Sequence, residues 1–507
     1  MRLTNSVVLY ALLLFAAAHA QCATDADAEA GAAPAQRRLA IANKPWTGDF
    51  DRMLERRMIR VLVPYSRSLY FNDQGREGGI TAETVRDFER YINRKYKTGK
   101  RPVTVYLAPT TRDRLLDEVA AGKGDIAAGN LTITQAREQV LDFVAADRGT
   151  PVKEILVLGA HAPRVDGIDD LAGKTVHVRR SSSYYESLDA LNRRFLASGK
   201  DAMTLKLVPE AIEDEDLMEM ANAGLVDILV VDDWKARMWG AVLPKIAVRP
   251  DVVLRDAGYV GWGVRKDSPK LRAALEDFYA NEIRNTGVAE YRLKKYMSRV
   301  KQIRDPTTTS DWKRFERTLA LFTKYGERYG FDPVMLAAQG YQESQLDQNA
   351  KSAVGAIGVM QLMPATGQGL KVGDIRQIEP NIHAGAKYMD ILMSKYFPDA
   401  HFSEANRPLF AFASYNAGPG NIARMRREAQ TRGLDPDKWF NNVELVVAEK
   451  IGQETTTYVR NIYKYYVSYK LTMQAAEDRR AALATLSATS ASGEAPAGGG
   501  TGASPAR

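Results

Sequence analysis

The sequence predicts a multidomain α/β + all-α protein, with a two-lobed α/β domain followed by a wholly helical one. Three observations carry this. At 507 residues the chain exceeds one ordinary core and holds two or three domains of roughly 100–200 residues each. Between residues 58 and 264, short β-branched runs alternate with segments of helical period, the pattern of α/β layers. Beyond residue 310 the β-branched runs stop and helical period alone remains.

The first twenty residues set the compartment. Met1-Arg2 gives a positive start, residues 7–18 form an apolar run too short to span a bilayer, and Ala18-His19-Ala20 has the small-x-small form of a cleavage site. Residues 1–20 therefore read as a secretory signal peptide. The single cysteine, Cys22, lies just beyond and can form no internal disulfide. Its position makes it a lipidation candidate, although His19-Ala20-Gln21 matches a lipoprotein site poorly and leaves simple cleavage equally open. Residues 21–50 read as a flexible tether. No later stretch has the 18 uninterrupted apolar residues of a membrane-spanning helix.

Residues 51–303 form the α/β part. Strands are expected at 59–63, 103–107 and 125–129, with helices at 81–96 and 112–121 between them. A second series has strands at 174–178 and 227–231, and the chain returns to strand at 259–264. This predicts two lobes with crossing connections and a largely parallel sheet. Residues 304–310 are a polar linker containing Pro306. After it, 311–329, 333–344, 383–396, 409–415 and 457–471 are helical in period. Asp332 is a good N-cap, with Pro333 at the first helical position. The helical domain is expected at 311–475, and 476–507 as a disordered tail rich in Ala, Gly, Ser and Thr.

Hydrophobic content of 45% and charged content of 26% suit a soluble globular protein. The net charge of +8 favours anionic partners. No arginine-rich helix interleaved with aromatics and no zinc or RNA-binding pattern occurs, so nucleic acid is not an expected partner. Nothing resembles a metal site, a phosphate loop or a nucleophile–histidine pair, so neither metal nor cofactor is expected.

One carboxylate stands out. On the helix starting at Pro333, Leu336, Gly340 and Glu343 share a face. Glu343 therefore sits at the helix end among small and apolar neighbours. Desolvation there would raise its pKa towards neutrality, fitting it for general acid work. Taken singly, each feature has a plainer explanation. A glutamate in a last helical turn is usually solvated, Gly355, Gly358 and Gly367 suit turns, and Tyr458, Tyr463 and Tyr466 at helical spacing suit a core.

Together the pieces form a pattern. Glu343-Ser344, Gly358-Val359-Met360-Gln361, Ser414-Tyr415-Asn416-Ala417-Gly418, and Glu454-Thr455 with Tyr458-Val459 resemble the four ordered motifs of soluble-type lytic murein transglycosylases, over residues 320–472. The resemblance implies a lysozyme-like helical catalytic domain acting on peptidoglycan glycan strands, with Glu343 as acid/base. It implies that Ser352, Gln361, Met363, Tyr415, Asn416 and Tyr458 line the sugar groove or support the acid. Ser414 stands where alanine is commoner. Most glycosidases use two carboxylates, whereas these motifs offer one strong candidate, which suits a nucleophile supplied by the substrate. A hydrolytic muramidase and a non-catalytic peptidoglycan-binding sensor are the alternatives.

Residues 51–300 resemble the family 3 solute-binding proteins of the periplasm. The carrying segments are 129–137, 176–183 and 224–232. The resemblance implies a ligand pocket with Thr132, Arg137 on an α-carboxylate, Ser182 at a helix N-terminal anion site, and Asp232 on the ligand ammonium. Arg180 departs from the usual glycine. The implied ligand is an amino acid or a muropeptide that regulates the enzyme. The expected location is the periplasm of a Gram-negative bacterium, attached to the outer membrane, with the membrane surface as a further partner.

Overall fold

The computed structural model describes residues 44–145, 151–282 and 309–491. The signal peptide, Cys22, residues 304–308 of the expected linker and 492–507 of the expected tail lie outside the described residues.

Lobe one contains α1 (Phe50–Arg56), β1 (Met58–Pro64), β2 (Phe71–Asp73), β3 (Arg76–Gly78), α2 (Ile80–Lys95), β4 (Thr104–Thr110), α3 (Arg112–Ala120), β5 (Ile126–Thr132), α4 (Gln135–Val140) and β6 (Asp142–Ala145). Lobe two contains β7 (Val152–Leu158), β8 (Thr175–Arg179), α5 (Ser183–Ala197), β9 (Thr204–Val208), α6 (Asp214–Asn222), β10 (Ile228–Asp232), α7 (Asp233–Gly240) and β11 (Ala247–Gly258). The chain then returns through β12 (Val260–Val264) and α8 (Pro269–Glu282) to lobe one.

The two sheets have the orders β4-β1-β5-β12-β6 and β11-β7-β10-β8-β9. Each is parallel on one side only, which corrects the expectation of a largely parallel sheet. Strands β4, β1 and β5 are parallel, but β12 pairs antiparallel with both β5 and β6. Strand β12 enters from the other lobe, not over a crossover helix, so nothing forces the parallel direction.

All seven residues of β1 are buried, as in a central strand covered on both faces. Arg60 lies among them, paired at 2.8 Å with the buried Asp125. Its guanidinium also donates to the carbonyls of Lys44 and Trp46. Residues 44–50 are thus tied to lobe one, so the expected tether to residue 50 ends too late. A buried cation needs these acceptors, and the segment before α1 supplies them.

The helical domain comprises α9 (Thr309–Tyr329), α10 (Pro333–Ser344), α11 (Pro364–Leu370), α12 (Ile378–Tyr396), α13 (Arg407–Ala417), α14 (Pro419–Thr431), α15 (Glu444–Lys450) and α16 (Gln453–Ala491). The sequence reading missed α11, α14 and α15. In α14 the buried Ile422, Met425 and Ala429 form a narrow stripe in a strongly charged segment. The expected disordered tail from residue 476 is also corrected, because α16 continues to Ala491. This stretch is rich in alanine, the residue of highest helix propensity.

Helix α6 is where the parts meet. Its nine residues are all buried although four are acidic, so each acid needs a partner. Arg179 and Lys235 of lobe two each reach Asp214 at 2.6 Å. Ser66 and Ser68 of lobe one donate to Glu215 at 2.7 and 3.2 Å. Arg67 of lobe one pairs with Asp216 at 3.1 Å and Glu219 at 2.9 Å. Lys464 of α16 reaches the same two acids, at 3.4 and 2.9 Å. One apolar cluster runs from Leu217, Met220 and Trp239 of lobe two to Phe315, Tyr341 and Val459 of the helical domain.

Candidate active site

Helix α10 delivers Glu343. Asp332 caps it by accepting from the backbone N–H of Val334 at 2.8 Å, and Gln345 ends it in the left-handed region. Gly340 admits the neighbouring loop, since a Cβ there would lie 3.0 Å from Val359 Cγ1. The Ser344 hydroxyl donates to the Val359 carbonyl at 2.9 Å, fixing that loop beside the helix end. Gly358 has φ +78°, and a Cβ on it would fall 2.3 Å from Asn381 Nδ2. Asn381 itself accepts from the Met360 N–H at 2.8 Å. Gly358→Ala is therefore expected to destabilise the fold by about 2 kcal/mol, read as a lowered midpoint in denaturant melts.

Glu343 is half-buried, and Tyr458 of α16 donates to its Oε1 at 2.5 Å. Burial pushes the carboxyl up to about 7, with the Tyr458 hydrogen bond pulling the other way. No charged side chain among the described residues contributes to that shift. Burial, and then the Glu343 charge, hold the Tyr458 and Tyr415 phenols well above their ordinary value. Both therefore remain protonated donors. Tyr458→Phe removes the donor to the charged form, so the Glu343 midpoint is expected to rise above about 7. NMR titration of labelled glutamate reads this, and an unmoved or lowered midpoint contradicts it.

The structure brings most of the predicted residues around this carboxyl's loop and helices. Tyr415 donates to the Met360 carbonyl at 2.7 Å, which joins α13 to the same loop. Asn416 accepts from Thr455 at 2.8 Å, tying α13 to α16. Ser352 accepts from the Ala356 N–H at 3.0 Å and shapes the loop. Met363 precedes α11, half-buried. The Gln361 amide nitrogen donates to the carbonyls of Gly358 and Ala350 at 2.9 and 3.2 Å. Its NH₂ group thus braces the loop and leaves the amide oxygen for other partners.

Sequence reasoning missed Gln339. It is fully buried one helical turn before Glu343. Its amide lies against the Tyr458 hydroxyl, yet neither amide atom closes a hydrogen bond of full geometry. The i−4 spacing from the acid was the available signal.

A second site lies between the lobes, a cavity of about 270 Å³ lined by Thr132, Arg137 and Ser182 among others. Arg137 donates to the carbonyls of Thr132 at 2.9 Å and Ser181 at 3.0 Å, so it spans both lobes. Ser182 caps α5, accepting from the Tyr185 N–H at 3.2 Å. Asp232, expected on a ligand ammonium, is instead fully buried with the Lys235 ammonium 3.1 Å away. Burying that carboxylate demands a permanent counter-charge, which the next helical turn supplies.

Comparison with known proteins agrees with this architecture. Residues 320–437 match the model of the transglycosylase SLT domain, and residues 61–299 that of the bacterial extracellular solute-binding proteins, family 3. A membrane-bound lytic murein transglycosylase F of Desulfosudis oleivorans is 30% identical over 409 residues, covering 76% of this chain and 86% of the relative. The protein of that name from Histophilus somni strain 129Pt is 28% identical, covering 78% and 81%. A solved ancestral arginine-binding protein aligns with 47% of this chain and 97% of its own, at 18% identity and a TM-score of 0.38. On the full-length relatives, this chain belongs to the membrane-bound lytic murein transglycosylase F family.

Proposed function

We propose that the chain cleaves peptidoglycan between N-acetylmuramate and N-acetylglucosamine without water, leaving 1,6-anhydro-muramyl ends, with Glu343 as both acid and base. The observation that carries this is a lone carboxyl with a pKa of about 7, hydrogen-bonded by a tyrosine. Such a group is protonated and deprotonated in comparable amounts near neutrality, as a residue acting in both senses requires. Protonated Glu343 gives its proton to the glycosidic oxygen as the bond to the muramyl C1 breaks. The resulting carboxylate takes the proton of the muramyl C6 hydroxyl, whose oxygen closes onto C1. Glu343 ends protonated again, and no second carboxylate is needed. Tyr458 and Tyr415 would orient the acid and the sugar, with Ser352, Gln361, Met363 and Asn416 lining the groove.

The deciding experiment is mass spectrometry of muropeptides released from purified sacculi. The anhydro product is lighter by one water than the product of hydrolysis. A hydrated product makes the enzyme a muramidase, and no product leaves a binding protein.

The catalytic unit is proposed at 311–475 and the solute-binding unit at 51–303. The signal peptide, Cys22 and the relatives' membrane-bound name support a periplasmic protein held at a membrane, with the outer membrane of a Gram-negative cell as the proposed site. The cavity between the lobes would hold a small regulatory ligand, an amino acid or a muropeptide. Support comes from α6, whose Asp214 lines that cavity while Asp216 and Glu219 pair with Lys464, six residues beyond Tyr458 on α16. Ligand can shift cleavage only by favouring one lobe arrangement over another.

A further inference from the structure

The cavity between the lobes sorts its charges unevenly. At its floor, Lys235 reaches Asp214 at 2.6 Å and Asp232 at 3.1 Å, and the Tyr184 hydroxyl at 3.0 Å. Arg179 adds a second cation on Asp214 at 2.6 Å. Arg179 also lies 3.6 Å from Glu213, which Arg112 of the same lining reaches at 2.8 Å, so the cations and carboxylates of the floor are engaged with one another. Of these carboxylates only Asp214 lines the cavity, and both its oxygens already accept, from Arg179 and Lys235, while Asp232 is fully buried outside the lining. An incoming ammonium group therefore meets no open carboxylate at the floor.

The wall is different. Arg137 is only 12% exposed, and its nearest carboxylate, Glu186, is 3.9 Å away. The groups it hydrogen-bonds are the neutral carbonyls of Thr132 and Ser181. Its charge is thus met only by Glu186, a half-buried residue of the same lining at the long distance of 3.9 Å, in a desolvated place, which favours a closer anion beside it. Leu116, Leu131, Ala136 and Val140 give the same cavity an apolar wall. Asp113 and Asp117 also line it, but they are exposed, where solvent screens them. The volume of about 270 Å³ is near the lower end of ligand sites, about 300 Å³, so the occupant is small.

We propose that this cavity takes a small apolar carboxylate without a free α-ammonium group, of the class of N-acylated amino acids, held through Arg137. This rests on the reading that the lobes bind a small ligand and narrows its chemistry. A zwitterionic amino acid would bring an ammonium group to a floor whose lining acid, Asp214, is already bonded at both oxygens, and that group would lose its water without gaining a partner. Acylation removes that charge and keeps the carboxylate.

The test is calorimetric titration of the mature chain with N-acetyl-L-leucine and with L-leucine. The acetylated compound is expected to bind at least about tenfold tighter, the cost of one unpaired buried charge-assisted contact. Arg137→Gln should weaken it by a similar factor. Lys235→Met, checked for fold by circular dichroism, should reverse the preference by opening Asp232 and Asp214 to the leucine ammonium. If that variant unfolds, the wild-type preference and the Arg137→Gln loss decide alone. Equal or tighter binding of L-leucine by the wild type overturns the ligand class and leaves the ligand-binding reading standing. Binding of the acetylated compound unchanged in Arg137→Gln overturns the site. No binding of either compound at millimolar concentration overturns this proposal and leaves the broader reading, a small ligand between the lobes, standing.

Discussion

Glu343→Gln is expected to abolish turnover and to strengthen the fold at alkaline pH. The amide is nearly isosteric with the acid but cannot give a proton to a glycosidic oxygen or take one from a hydroxyl. Losing general acid/base help costs at least about 10²–10⁴-fold in rate. Release of anhydro-muropeptides from sacculi measures this, and more than a tenth of wild-type activity in the variant contradicts the assignment. The stability effect has a definite sign. The native carboxyl holds its proton to about pH 7, whereas an exposed glutamate ordinarily loses it near 4.5. Between those values the native state binds more protons than the unfolded one, so wild-type stability falls as pH rises through this window. The loss reaches up to about 3 kcal/mol, complete above the folded pKa. Glutamine has no such proton. The melting temperature of the variant relative to wild type should therefore be higher at pH 8 than at pH 4. An equal difference at both would mean a solvated carboxyl.

Lys464→Met is expected to loosen the helical domain from the lobes. Lys464 is 1% exposed, with its ammonium 2.9 Å from Glu219 and 3.4 Å from Asp216. Burial alone would raise the Asp216 pKa, but Lys464 and Arg67 hold it below the ordinary carboxylate range. Without Lys464, the two buried carboxylates keep Arg67 as their one cation at ion-pair distance among the described residues, with Arg460 acting on Asp216 from farther off. Removing one partner from a buried pair costs about 3–5 kcal/mol. Denaturant melts measure the loss, and limited proteolysis should show cleavage between the domains sooner than in wild type. Because Asp216 is depressed, its contribution is present above the ordinary carboxylate pKa and fades as pH falls through the folded value. The variant's deficit should therefore shrink in acid. Lys464→Met combined with Glu219→Gln should regain part of the loss, since one buried charge is then removed with its partner. A single variant within about 0.5 kcal/mol of wild type, the usual range for surface substitutions, would show that this contact carries little.

Much of the helical domain was legible because its signals are local. Asp332 before Pro333 announces α10 by capping chemistry, and the i, i+4, i+7 face of Leu336, Gly340 and Glu343 follows from helix geometry. The short helices were not legible. Helix α11 is seven residues of PATGQGL, whose glycines and threonine carry no helical signal, and the surrounding domain imposes its form. In the lobes, strands could be read from β-branched runs, but not the antiparallel entry of β12, because direction depends on which lobe a strand returns to. For the cavity, the sequence pointed to Asp232 and Arg137. It did not show that Lys235, three residues on, folds back over Asp232.

The sequence by itself determined the two-part architecture and the order of its parts, and its motifs singled out Glu343 as the candidate acid. The architecture rests on periodicity and capping, which act over a few residues and survive in one dimension, and the candidate on the ordered motifs that resemble the transglycosylases. The tertiary structure alone decided the environment of that acid. Tyr458 lies 115 residues from Glu343 along the chain and 2.5 Å away in space, and the desolvation that raises the carboxyl to about 7 comes from packing of α10 with its neighbours. It also decided that α6, four acids in nine residues, is buried and not solvated. Its compensating charges arrive from lobe one, lobe two and α16. A carboxylate's pKa and burial are set by what folding brings within a few ångströms, and local sequence does not encode that.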